Sequence, residues 1–307
     1  SEFHSGGGTA EIGVAQRRAQ EEAAMNTDTI KPGEEFSQER TREIVEAFYR
    51  DGFAHIPGVL EPSEVEALKK RTDELMDDPE LAARVNPNLS DRRYVQMHKR
   101  ETGVDLPFIL RNTIELDAIF LDMLLREPIL SLAEAIVGPD CKFCGQNVLR
   151  NLPGVAIENW HVDGAVHFPV PDDVARHDPR IRPPVLWITV QIALSDIDRM
   201  EHGPTQYVPG SHLSGRKPNS QENPQFEEKG PVSLFCKAGD IYLQEPQCWH
   251  RGAPNTSDRT RYLMQSQYAV KWAYRRFGWM NRVPVPEENL MAASDRLLEV
   301  LGVRRPV

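Results

Sequence analysis

Cysteine is scarce in this chain, basic charge is outweighed by acidic, and no apolar run approaches the length that crosses a bilayer. Four cysteines in 307 residues, Cys141, Cys144, Cys236 and Cys248, are too few to build a disulfide framework. Cys141 and Cys144 have metal-finger spacing, but no second CxxC follows. All four therefore read as buried free thiols in a reducing compartment, and a cytoplasmic location is the expectation. With 36 Lys and Arg against 46 Asp and Glu the net charge is −10. That argues against nucleic acid or an anionic membrane surface as the main partner, since both need a basic footprint. No membrane-spanning helix is expected either, since one needs about 20 consecutive apolar residues. Internal repeats are also missing.

What is present suits a globule. Hydrophobic residues make up 40% of the chain, enough for one sizeable core. Residues 39–307 read as a single domain. Residues 1–38 read as a tag remnant, Ser1–Gly8 (SEFHSGGG), followed by a loose polar arm, with Met25 a candidate native start.

The front half is helical in pattern. Glu39–Arg50 carries Ile44, Val45, Phe48 and Tyr49 at helical spacing, and Gly52 stops it. Phe53–Leu60 reads as a strand and turn. Pro62 opens a helix to Met76, and Phe120–Val137 forms a third, kinked or restarted at Pro128. From Cys141 onward short β-favouring runs follow one another: 142–149, 185–194, 205–208, 232–235, 240–243 and 262–270, separated by turn residues. A helical front half and many short strands imply a mainly β protein. The expected fold is a double-stranded β-helix, a cupin-like jelly roll, with helices packed on one sheet. Residues 164–184 and 213–230, rich in proline and charge, read as lids or binding loops.

Chemistry concentrates in His161-Val162-Asp163, followed by His250 and, eleven residues on, Arg261. Residues i and i+2 of a strand point to one side, so His161 and Asp163 can present an imidazole and a carboxylate to one ion. Gly164 lets the chain leave without crowding it. His250, at the end of another apolar run, could face them across a barrel. Two nitrogens and a carboxylate with open positions favour Fe(II), although zinc accepts the same ligand types. Arg261 begins an apolar strand and supplies a planar, permanently charged fork for a carboxylate. An HxD alone is commonplace, and Arg259 and Arg261 could both be solvated charges. The ordered combination inside a β-rich half reads as an oxygenase site that consumes 2-oxoglutarate.

Four stretches resemble the phytanoyl-CoA dioxygenase family of Fe(II)/2-oxoglutarate oxygenases: Gly52–Leu60, Trp160–Gly164, His202–His212 (HGPTQYVPGSH) and Trp249–Arg261. The resemblance extends over roughly residues 40–275. It implies that His161, Asp163 and His250 bind iron, that Arg261 anchors 2-oxoglutarate, and that His212 is structural. Gln146 and Gln191, on suitable inner-strand runs, are candidates for further co-substrate contacts. His202 replaces the usual asparagine, and Gly252 stands where some members place a hydroxyl near the co-substrate. Asp163 disfavours halogenation, since related halogenases carry a small residue there.

The implied activity is oxidation, most simply hydroxylation, of a small organic molecule with Fe(II), 2-oxoglutarate and O₂, giving succinate and CO₂. A non-catalytic jelly-roll binding protein is the rival, and a zinc hydrolase a third reading that leaves Arg261 without purpose. The basic cluster Arg92, Arg93, His98, Lys99 and Arg100 reads as a solvated face or a contact for an acidic substrate. Trp187, Trp249, Phe168 and His167 read as core or pocket lining.

Overall fold

A computed structural model describes residues 33–85, 93–99, 105–276 and 285–306. The arm up to residue 32, with Met25, and Arg92 and Arg100 of the basic cluster lie outside the described residues.

Helices form where the periodicity placed them. The first spans Gln38–Asp51 and buries Ile44 and Phe48; Ser37 caps it, and Gly52 ends it in the left-handed region at φ 85°. Pro62–Met76 is bounded as expected, with Pro62 in its first turn and Glu64 accepting from the Glu61 amide at 2.8 Å. The expected third helix is interrupted. Ala118–Asp122 passes through a 3₁₀ turn at Met123–Leu125, and Ile129–Val137 restarts after Pro128, which has no N–H to continue the ladder.

Among the described residues there are eleven strands in chain order: β1 Phe53–Ile56, β2 Val95–His98, β3 Leu106–Arg111, β4 Lys142–Asn151, β5 Ile157–His161, β6 Trp187–Ala193, β7 Thr205–Tyr207, β8 Val232–Leu234, β9 Ile241–Gln244, β10 His250–Gly252 and β11 Arg261–Ala269. They make a seven-stranded sheet ordered β1-β9-β6-β11-β4-β3-β2 and a four-stranded sheet ordered β5-β10-β7-β8. Every ladder pairs antiparallel. This is the cupin-like jelly roll. The helices pack on the larger sheet: Val148, Val190, Ile192, Leu243 and Met264 share one cluster with Phe48, Leu68 and Leu132. The opposite face meets the small sheet through Leu149, Ala193, Tyr207, Tyr242 and Leu263.

The sequence pattern did not mark β2 and β3, which fall partly in the basic cluster. Arg93 there donates to the carbonyls of Ala82 and Ala83, and the His98 ring lies beside Phe108. Both contacts brace the sheet edge. All four cysteines are buried and free, and burial pushes the Cys141 thiol up to about 12, leaving it an inert packing group. Among the described residues no helix is long and apolar enough to cross a membrane.

Candidate metal centre and anion pocket

Strand pairing assembles the centre. On neighbouring β5 and β10, His161 and His250 are direct register partners, so both rings leave the same face, 4.2 Å apart between centroids. Asp163 lies just past the end of β5, where its amide donates to the Pro246 carbonyl at 2.8 Å. Gly164, at φ 73°, then turns the chain away. One ligand atom from each of His161, Asp163 and His250 falls within 4.8 Å of the others.

The tautomers suit a cation. His161 Nδ1 lies 2.8 Å from the Asn159 carbonyl, and His250 Nδ1 lies 2.7 Å from the Cys248 carbonyl. A carbonyl only accepts, so each Nδ1 carries the proton and each Nε2 can offer its lone pair inward. Asp163 Oδ1 completes the set, 3.8 Å from His161 Nε2 and 3.6 Å from His250 Nε2. Burial pushes the Asp163 carboxyl up, but His250, His161 and the Gln244 amide outweigh it and hold it below the usual range. Burial opposes charge on His250 too, yet Asp163 raises its pKa. For His161 burial and the neighbouring imidazole prevail and lower it. A field that draws a proton between these groups also draws a divalent cation. Two imidazoles and one carboxylate, with one side unfilled by protein ligands, form a donor set that fits Fe(II).

Arg261 starts β11 and points into the same interior. Only 4% exposed, it donates from Nη2 to Thr205 Oγ1 at 3.1 Å, while its Nε is buried without a partner. It forms no salt bridge with any described residue. Thr205 in turn bonds the Tyr242 hydroxyl at 2.8 Å. Gly252, on the strand of His250, leaves room beside it: a Cβ there would lie 3.7 Å from Arg261 Nη1.

The two glutamines part company. Gln191 faces the interior, donating to Gln244 Oε1 at 3.0 Å and accepting from Gln265 Nε2 at 3.1 Å. Gln146 is a correction to the sequence reading. It lies on the helix-facing side of β4, donating to the Phe120 carbonyl and to Ser266 Oγ, and accepting from Thr113. Its amide is consumed there, away from the interior. Trp249 likewise faces away from the centre, packing with Trp160 and Phe226 and donating to the Arg216 carbonyl. His212 bonds the Tyr49 carbonyl and stays outside the metal cluster.

Sequence reasoning missed Gln244, Thr205, Tyr207 and Tyr242. Tyr207 donates to Gln244 Oε1 at 2.7 Å, and Gln244 Nε2 reaches Asp163 Oδ2 at 3.2 Å. The available signal was a polar i, i+2 pair, Tyr242 and Gln244, inside the apolar run that leads to His250.

Beside the centre lies a cavity of about 430 Å³, lined by Tyr49, His167, Phe168, Arg182, Glu245 and Gln247 among others. Gln247 joins it to the triad, donating to the Asp163 carbonyl and accepting from the His167 amide. The 164–184 loop forms much of one wall. Arg216 ties that loop down by donating to the carbonyls of Pro171, Val174 and Ala175.

Known proteins resemble this chain to different extents. A dioxygenase of Aspergillus fumigatus, af480, is 25% identical over 191 residues, 62% of this chain. The match spans 56% of that relative's length. Among solved structures, the epimerase SnoN of nogalamycin biosynthesis superposes with a TM-score of 0.56 at 20% identity, covering 76% of this chain and 84% of its own. AviO1 from Streptomyces viridochromogenes Tue57 gives 0.56 at 21%, covering 77% and 97%. HygX from Streptomyces hygroscopicus, with nickel and 2-oxoglutarate bound, gives 0.54 at 17%, covering 75% and 87%. These structures share the fold. The model of the phytanoyl-CoA dioxygenase family matches residues 48–263, and the chain belongs to that family.

Proposed function

We propose that the protein is a non-haem Fe(II)/2-oxoglutarate-dependent dioxygenase that oxidises a small organic molecule, most simply by hydroxylating a C–H bond. One observation carries the reading: a two-histidine, one-carboxylate cluster shares an interior with a buried guanidinium that pairs with no anion among the described residues. An uncompensated buried charge is costly, and a dicarboxylate co-substrate supplies the compensation.

Ferrous iron with 2-oxoglutarate and O₂ supplies the oxidising chemistry, in which one oxygen atom enters the substrate and the other enters succinate as CO₂ leaves. His161, Asp163 and His250 would hold the ion on one face. Arg261 would grip the distal carboxylate of 2-oxoglutarate with two N–H donors, a match that lysine cannot make. Thr205 holds the guanidinium in place, and Tyr242 holds Thr205. Gln191 acts at one remove, through Gln244.

The cavity is the substrate chamber in this reading. It combines apolar Phe168 and Val185, the Arg182 guanidinium stacked on Tyr49 at 3.9 Å, and the Glu245 carboxyl, which burial pushes up to about 8. Such a wall suits an amphiphilic small molecule. HygX has been solved with hygromycin B and SnoN with nogalamycin RO, and we extend that size class of substrate to this chain.

The test is anaerobic loading with Fe(II), then addition of 2-oxoglutarate and O₂ with quantification of succinate. Slow substrate-free turnover is expected, lost in Asp163→Ala and Arg261→Leu. A protein that retains zinc after anaerobic purification and neither binds nor consumes 2-oxoglutarate would overturn the reading.

A further inference from the structure

Gln244 stands between the metal ligands and the rest of the barrel interior, held by hydrogen bonds at both ends of its amide. Its Oε1 accepts from the Tyr207 hydroxyl at 2.7 Å and from Gln191 Nε2 at 3.0 Å. Its Nε2 donates to Asp163 Oδ2 at 3.2 Å and lies 3.1 Å from His250 Nε2, whose lone pair is the one available to a metal. A carboxylate oxygen only accepts, so the atom facing Asp163 must be the amide nitrogen. Gln244 is 1% exposed, Tyr207 is fully buried and Gln191 is 3% exposed, so water does not compete for these bonds. The chain continues outward, as Gln265 donates to Gln191 and Phe53 stacks on Tyr207 at 4.5 Å.

The two oxygens of Asp163 are thereby made unequal. Oδ1 faces both imidazole Nε2 atoms, and Oδ2 is taken by Gln244. We propose that Gln244 is a positioning residue that reserves Oδ2 for itself and so presents Oδ1 alone to the metal, with Tyr207 and Gln191 fixing the amide in that orientation. Left free, a carboxylate can swing to offer both oxygens and occupy a second position on the ion. One-oxygen binding preserves the open positions that the co-substrate and O₂ require. The inference rests on the metal-centre reading under Proposed function and adds a role for Gln244, Tyr207 and Gln191 that acts through Asp163.

Cobalt(II) titration of the metal-free full-length protein, followed by its visible bands, tests both layers separately. Wild type is expected to bind one Co(II) and His250→Ala to lose it; absence of that contrast overturns the metal reading, and this inference with it. Given the contrast, Gln244→Leu is expected to weaken Co(II) binding by about 10–100-fold, the usual effect of removing a partner that orients a ligand. The band intensities, which follow coordination number, should change as well. Tyr207→Phe and Gln191→Leu touch no proposed ligand and should each weaken binding in the same direction by a smaller factor. They decide the matter if Gln244→Leu fails to fold. A merely space-filling Gln244 would move the melting temperature and leave the cobalt affinity and spectrum alone. Variants that fold and bind Co(II) within about twofold of wild type, with an unchanged spectrum, overturn the proposal.

Discussion

Arg261 Nη2 donates to Thr205 Oγ1 at 3.1 Å, and among the described residues that neutral hydroxyl is what the buried guanidinium has in place of a carboxylate. The arrangement stores an unmet electrostatic demand in the barrel interior. Removing the charge should relieve the fold and disable the site together. Arg261→Leu is expected to melt at or above the wild-type temperature without ligand, and to lose the thermal stabilisation that 2-oxoglutarate gives wild type. Arg261→Lys keeps the charge and loses the fork, so its affinity for 2-oxoglutarate should fall by about 10-fold or more. Differential scanning fluorimetry with and without 2-oxoglutarate reads both outcomes.

His161 and His250 face each other as register partners, and each is steered by a carbonyl two residues earlier in the chain. His161→Ala should therefore lose stoichiometric iron while the fold persists, because a half-exposed side chain at a strand end contributes little packing. Iron analysis beside far-ultraviolet circular dichroism checks this. Full iron retention in a folded variant would contradict the proposed ligand set.

Gly203 permits a close crossing that no side chain could. It sits at φ 69°, and a Cβ on it would lie 2.7 Å from the Ala253 carbonyl oxygen, a backbone atom that cannot swing aside. Gly203→Ala should destabilise by about 2–4 kcal/mol, combining left-handed strain with backbone displacement. The urea midpoint measures it. Since Ala253 lies three residues beyond His250, activity should fall with stability.

His212 sets an acid limit on stability. Burial lowers its pKa from 6.5 to about 4, against a smaller opposing pull from the Tyr49 carbonyl. The unfolded chain therefore takes up a proton between those two values that the native state refuses. Stability associated with this residue is complete above pH 6.5 and falls as pH drops towards 4, by roughly 3 kcal/mol in all. His212→Gln should be less sensitive to pH across that window, which denaturation at pH 7, 5.5 and 4.5 would show. Equal pH dependence in the two proteins would contradict the burial argument.

Helix 62–76 was legible because one-sided burial writes a period into the sequence, and the longer strands because β-favouring residues run together between turn residues. The strands β4 and β6 show where legibility ends. Both faces of β4 are buried, one by helices and one by the small sheet, so apolar residues occur at odd and even positions alike and no alternation marks the inner face. Gln146 and Gln191 looked equivalent for that reason, yet β4 sends Gln146 to Phe120 and Ser266 while β6 sends Gln191 to Gln244. The β-favouring runs omit β5 for the opposite reason, although His161 and Asp163 read as strand neighbours: Ile157–His161 buries chiefly Trp160 and carries polar residues at 158, 159 and 161.

By itself the sequence determined which atoms are available and in what order: His161 and Asp163 two apart, His250 after an apolar run, Arg261 at a strand start, and helices ahead of strands. Spacing along one chain can encode those facts, because neighbours i and i+2 share a side whatever surrounds them. Only the tertiary structure decided that His250 lies opposite His161, that Arg261 meets Thr205 and not an acid, and that Gln244 takes one oxygen of Asp163. Those relationships join residues brought together by cross-strand register and by the parity of strands buried on both faces, and neither leaves a periodic trace in the order of the amino acids.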